Sequence, residues 1–216
     1  MYLYICNYKK INIESDYTKF ITLNEKKKIN SYLKCIDRER CFIEILLLKF
    51  LIHNFCKIPI SNIVIKRNKY GKPYLENNSN LKFNISHSNE LIIVGIDMQN
   101  EIGVDIEFIK KINLNNYIKI LKESEIRELS QRKNKLDSFY EIWTIKESFC
   151  KEEGKGISII DYNYDIDYKK SQITYKDKIL PFKIINYLQY KICICSKKIN
   201  NLEIIEVNNE EFTKLI

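Results

Sequence analysis

Apolar residues in this chain fall into two rhythms, short bursts suited to strands and three-to-four-residue spacings suited to helices. Tyr2-Leu3-Tyr4-Ile5-Cys6 reads as a first strand. From Asn24 to Asn54 the spacing is helical and predicts two helices, the second from about Asp37, with Ile43, Leu46, Leu47 and Phe50 on its apolar face. Ile63–Lys66 reads as a strand and Tyr70-Gly71-Lys72-Pro73 as a turn. Leu81–Ser86 and Leu91–Asp97 alternate as paired strands, and Ile102–Phe108 follows as a third, so a sheet is expected at the middle of the chain. The helical rhythm then returns over Leu114–Leu121, Ser124–Gln131 and Asp137–Glu153, with Ser124 and Asp137 suited to N-caps and Gly154 and Gly156 as stops. Strands are predicted again over Tyr162–Asp167, Gln172–Tyr175, Pro181–Leu188, Tyr190–Ser196 and Leu202–Val207. Helices and strands thus occur twice. The order predicts an α+β duplication, residues 1–100 and 101–216, with a functional cleft between the halves.

Composition narrows the class. The chain of 216 residues is 45% hydrophobic and 12% aromatic, which argues against disorder. Its formal charge of +8 favours an anionic partner, whether nucleic acid, phosphorylated small molecule or acidic protein, without choosing among them. The seven cysteines form no CxxC pair and there are two histidines, so zinc is disfavoured and reduced thiols are expected. Cys193 and Cys195 share one face of their strand. The most apolar run, Cys41 to Ile52, contains Glu44 and Lys49 and is too short to span a bilayer. The N-terminus lacks a basic signal-peptide region, and a cytoplasmic protein without a membrane partner is the expectation.

Chemistry concentrates in two phrases. Gly103-Val104-Asp105-Ile106-Glu107 puts two carboxylates on one face of an apolar strand. Such a pair repels itself, which raises a pKa unless a cation intervenes. Trp143, Glu147 and Lys151 share one face of a helix, with Lys146 a quarter turn away. A plain helical Glu147–Lys151 ion pair under a core tryptophan is the bland account of that face. With three carboxylates together, hard oxygen ligands point to Mg2+ or Mn2+. A Ser86–His87 nucleophile pair is weak, because neighbours in an extended chain project apart, whereas both could grip a phosphate at a strand end.

In this order, Tyr70-Gly71-Lys72-Pro73-Tyr74, Phe83-Asn84-Ile85-Ser86-His87-Ser88, Gly103–Glu107 and Phe139–Phe149 resemble the 4′-phosphopantetheinyl transferases of the surfactin-synthetase-activating (Sfp) type. The continuation Lys151-Glu152-Glu153-Gly154-Lys155-Gly156 is also similar to that family. The resemblance implies two similar α+β lobes related by a pseudo-two-fold axis, with coenzyme A between them. It implies that a serine of an apo acyl or peptidyl carrier protein attacks the β-phosphate in a Mg2+-dependent reaction that releases adenosine 3′,5′-bisphosphate. Carried over by position, Asp105, Glu107 and Glu147 would be metal ligands, and Glu125, Glu147 and Lys151 catalytic. Arg40, Lys72, Pro73, Ser86, His87, Lys146 and Lys151 would hold coenzyme A, with Arg40 and His87 near the 3′-phosphate and further contacts from Lys26-Lys27-Lys28. A monomer without nucleic-acid partners is implied. The alternative is a metal-dependent nuclease, which accounts for the carboxylates and the charge but not for the Gly71 and His87 turns.

Overall fold

A strand without a polar face must be covered on both sides. Leu91–Asp97 and Tyr190–Ser196 are such strands, buried along their whole length. The computed structural model describes residues 1–13, 15–76, 80–156 and 163–215. It shows how the two are covered.

The first half contributes β1 (Tyr2–Asn7), α1 (Leu23–Asn30), α2 (Cys35–Cys56), β2 (Ile65–Arg67), β3 (Pro73–Leu75), β4 (Lys82–Ser88) and β5 (Leu91–Asp97). The second contributes β6 (Ile102–Phe108), α3 (Glu123–Gln131), α4 (Lys135–Glu153), β7 (Tyr164–Asp167), β8 (Gln172–Tyr175), β9 (Lys178–Tyr187), β10 (Tyr190–Ser196), β11 (Glu203–Val207) and α5 (Asn209–Lys214). One sheet runs β11-β1-β5-β4 and the other β6-β10-β9-β8-β7, while β2 and β3 pair separately. Side chains alternate between two cores. Tyr4, Cys6, Ile92, Val94 and Ile96 face α2, and Cys193 and Cys195 meet Ile145, Phe149 and Cys150 of α4. Between the sheets, Leu3, Ile5, Leu91 and Ile93 meet Ile102, Val104, Ile106, Ile192 and Ile194. The layers are therefore helix, sheet, sheet, helix, the two-lobed α+β arrangement expected.

Two glycines set how closely the layers approach. A Cβ on Gly95 would lie 2.5 Å from Val104 Cγ1, so its absence lets β6 settle on β5. A Cβ on Gly103 would lie 1.9 Å from the Ser148 carbonyl oxygen and 2.4 Å from the Glu152 nitrogen. That second contact is with helix backbone, which cannot rotate aside, so Gly103 fixes the approach of α4 to β6.

Edge strands β4 and β6 meet through side chains rather than a backbone ladder. Val104 N–H donates to Asn84 Oδ1 (3.0 Å) and Phe108 N–H to Ser88 Oγ (3.0 Å). A second clamp joins the loop after β2 to the end of α4. Lys72 Nζ donates to Glu101 Oε2 (2.7 Å) and the Glu152 carbonyl (2.9 Å), and Asn68 Nδ2 to the Gly154 carbonyl (2.9 Å). These donors serve the carbonyls that a helix C-terminus leaves unpaired. Glu152 is 7% exposed, and its Oε2 is buried without a partner among the described residues. Burial, with the Glu153 charge second, pushes its carboxyl up to about 7.

Several sequence expectations need correction. Leu114–Leu121 is not an α-helix but two 3-10 turns, Leu114–Asn116 and Ile118–Ile120. There Asn113 Oδ1 accepts from Asn115 N–H, the side-chain competition that disfavours a longer helix. Ser124 is not the cap of α3; Glu125 Oε2 accepts from Lys122 N–H instead. Asn134, not Asp137, caps α4, accepting from Asp137 N–H. The start of the strand predicted at Tyr162 lies outside the described residues. The division at residue 100 also misplaces the chain's end. β11 pairs in parallel with β1. Phe212 of α5 packs on Phe50, with ring centroids 5.3 Å apart. Residues 203–214 thus complete the first lobe, because β1 would otherwise be an exposed edge. Among the described residues no helix is long and apolar enough to cross a membrane.

Gly103→Ala is expected to lose roughly 1–3 kcal/mol or more through forced separation of α4 from β6, read as a lowered Tm. Glu152 gives a pH signature. Its folded pKa lies above its unfolded value, so its contribution is complete in acid and is lost as pH rises through about 7. Urea midpoints from about pH 5 to about pH 8 should fall in the wild type and fall less in Glu152→Gln.

Candidate active site

Where α4 crosses β6, Asp105 and Glu107 face the helix that carries Glu147 and Lys151. Asp105 is 3% exposed. Its Oδ1 accepts from Lys151 Nζ (2.7 Å) and Ser86 Oγ (2.9 Å), and Lys151 Nζ also reaches Ser86 Oγ (2.8 Å). Its Oδ2 is buried without a partner among the described residues. Glu107 accepts from Trp143 Nε1 (3.2 Å) and Ser88 Oγ (3.2 Å). The ion pair of Lys151 is thus with Asp105 across the layers, which replaces the plain helical Glu147–Lys151 bridge. Desolvation first and the Asp105 charge second push both Glu107 and Glu147 above the usual carboxylate range. This is the self-repelling cluster that the strand pattern foretold.

The donor chemistry fits a hard divalent cation: carboxylates that hold protons too tightly and a buried, unpartnered Asp105 oxygen. Among the described residues, no three His, Cys, Asp or Glu groups already stand in ligating array.

Above this floor lie two adjoining cavities that share Arg67, Ile85 and Lys151. One, of about 350 Å3, is lined by Lys28, Glu44, Arg67, Ser86, His87 and Lys151 among others. The other, of about 280 Å3, is lined by Gly71, Pro73, Glu147, Lys151 and Lys155 among others. Lys72 also lines it, while its ammonium is committed to Glu101 and Glu152. A larger cavity, about 690 Å3, lies along Lys72, Phe83 and Glu152 and contains none of the clustered carboxylates. Size does not mark the chemistry here. Arg40 Nη1 donates to Asp37 (2.7 Å), while its Nε is buried and unpartnered among the described residues. His87, at the outer end of β4, titrates below its ordinary value. Lost hydration is the main cause; the Arg40 and Lys151 cations add to it, and Glu44 and Asp37 oppose it.

Two expected site residues are elsewhere. Glu125 is 2% exposed; its oxygens accept from Lys122 N–H, Lys146 Nζ (2.8 Å) and Tyr164 Oη (2.8 Å). Lys146 Nζ also donates to the Ile120 carbonyl (2.8 Å). Glu125 borders a separate small cavity of about 140 Å3 beside Tyr164 and lines neither of the two cavities above Asp105. Lys146 is likewise buried as an ion-pair partner and lines neither of those two cavities. The sequence reading missed Arg67 and left the Lys26–Lys28 register open; the structure turns Lys28 into the cavity. Arg67 Nη1 also ties the Gly71 carbonyl (2.7 Å), so its place just before the Tyr70 turn was the available signal.

Comparison with known proteins identifies the family. Residues 13–99 match the N-terminal family model of 4′-phosphopantetheinyl transferases, and residues 101–207 match the 4′-phosphopantetheinyl transferase superfamily. The chain is 34% identical to the 4′-phosphopantetheinyl transferase gsp of Aneurinibacillus migulanus, over 85% of this chain and 80% of that one. It is 32% identical to Sfp of Bacillus subtilis over 66% of this chain and 64% of that one. It is 28% identical to the human L-aminoadipate-semialdehyde dehydrogenase-phosphopantetheinyl transferase over 62% of this chain and 48% of that one. With tandem lobes, both family segments matched in order and a relative aligned along most of its length, the chain belongs to the 4′-phosphopantetheinyl transferase superfamily, in its Sfp type.

Proposed function

We propose that this protein transfers the 4′-phosphopantetheine of coenzyme A to a serine of an acyl or peptidyl carrier protein, with Mg2+. The observation that carries the reading is the convergence of Asp105, Ser86 and Lys151 at the floor of a cavity walled by Lys28, Arg67 and His87. Those walls suit the phosphates of coenzyme A, and the floor suits the bond that breaks. Asp105, Glu107 and Glu147 would hold Mg2+, which when bound supplies positive charge to the diphosphate. Lys151 exchanges its hydrogen bond to Asp105 for one to the transferring phosphate and offsets the charge that develops there. Arg40 and His87 take the 3′-phosphate, for which Arg40 keeps an unused Nε donor. An incoming phosphate favours the imidazolium that the apo site disfavours, so binding takes up a proton at His87. Ser86 and Ser88 orient the carboxylates rather than act as nucleophiles, since their hydroxyls donate to Asp105 and Glu107. The net charge of +8 favours an acidic carrier. The two lobes in one chain support a monomer.

Incubation with apo carrier protein, coenzyme A and Mg2+ should add one phosphopantetheine by intact mass, and EDTA or Glu147→Gln should abolish the gain. No gain on any carrier type would refute the transferase reading. Lys151→Met should lower kcat by roughly 100-fold or more while KM for coenzyme A changes little. Arg67→Ala should do the reverse, raising KM with kcat nearly intact.

A further inference from the structure

Glu44 is out of place by charge. It lines the cavity whose other ionisable walls are Lys28, Arg67, His87, Lys151 and the phenol of Tyr32. Among the described residues it makes no hydrogen bond or ion pair. On α2 it lies one turn beyond Arg40, and Asp37, Arg40, Cys41 and Glu44 form one stripe of the helix at i, i+3, i+4 and i+7. That stripe faces His87, which feels the Asp37, Arg40 and Glu44 charges together.

A carboxylate beside a phosphate site opposes the ligand it sits next to. The cost is offset only if the ligand brings a hydrogen-bond donor to the carboxylate. The 3′-phosphate of coenzyme A is carried on a ribose with a free hydroxyl on the adjacent carbon. A carboxylate that accepts from a ribose hydroxyl also rejects a phosphate at that carbon, as dinucleotide-binding folds do in telling the two sugars apart. Resting on the coenzyme A reading above, we propose that Glu44 is the specificity-determining residue for the sugar. It accepts a hydrogen bond from the 2′-hydroxyl while Arg40 and His87 hold the 3′-phosphate, and it excludes nucleotides with phosphate on the 2′-oxygen. Glu44 is half-buried and loses no intramolecular bond on substitution, so Glu44→Gln should fold.

The test is calorimetric binding of adenosine 3′,5′-bisphosphate and adenosine 2′,5′-bisphosphate to wild type and Glu44→Gln, with no carrier protein needed. The wild type should prefer the 3′,5′ isomer by roughly tenfold or more. Glu44→Gln should erase most of that preference, chiefly by tightening the 2′,5′ isomer, because the amide keeps an acceptor and drops the charge. Equal binding by the wild type, or an unchanged preference in Glu44→Gln, overturns the assignment and leaves the nucleotide site standing. Binding of neither isomer by the wild type removes the coenzyme A reading, and this one with it.

Discussion

The row of hydroxyl and amide side chains on β4 joins the lobes and sets the site in one stroke. Asn84, Ser86 and Ser88 point the same way because they alternate along a strand. Asn84 and Ser88 accept from β6 backbone N–H groups that an edge strand would otherwise leave bare. Ser86 and Ser88 donate to the carboxylates that β6 presents. A backbone ladder between β4 and β6 would satisfy the same edges but leave no side chains free to orient Asp105 and Glu107. The geometry of the carboxylates is therefore inseparable from the registry of the two sheets, and Gly103 adds the third layer by letting α4 approach them.

Charge compensation follows a similar economy. Lys49 pairs with Glu25, Lys146 with Glu125 and Lys191 with Asp137, each lysine side chain no more than 2% exposed. Losing one partner of such a pair strands a buried charge, so these three are structural commitments. Lys151 differs: its side chain is 28% exposed, and it borders both cavities above the carboxylates. Of the four, it is the ammonium whose present partner can be exchanged for a ligand at moderate cost. Exposure, not residue type, separates Lys151 from its buried neighbour Lys146 on the same helix.

That distinction marks how far the sequence could be read. Alternation along Ile102–Phe108 told which face Asp105 and Glu107 share, because a period of two is a local property. Helical spacing likewise aligned Glu147 with Lys151. What Lys146 and Glu125 do depends on a contact between α3 and α4, twenty-one residues apart in the chain, and no local pattern encodes it. The Asn-rich segment at 113–116 held an apolar spacing that read as helix, but its side chains bond the backbone and stop propagation after single turns. β11 was visible as a strand and not as a member of the first sheet, since pairing partners are chosen by which edge lacks cover.

The return of β11 and α5 to the first lobe bears on how the two halves work. Tyr2–Cys6 pair with Glu203–Val207, so the last strand closes across the same sheet whose other edge, β4, holds the site. Any opening of the cleft along β4 and β6 leaves that closure intact, because it lies at the opposite edge. The second lobe is thereby tethered to the first at both of its ends, by the short link from β5 to β6 and by the link from β10 to β11. Two tethers and an apolar layer between the sheets thus join the lobes. At the cleft, Glu107 and Glu147 are the side chains whose charged state the surroundings disfavour, and Lys151 is exposed enough to exchange its partner.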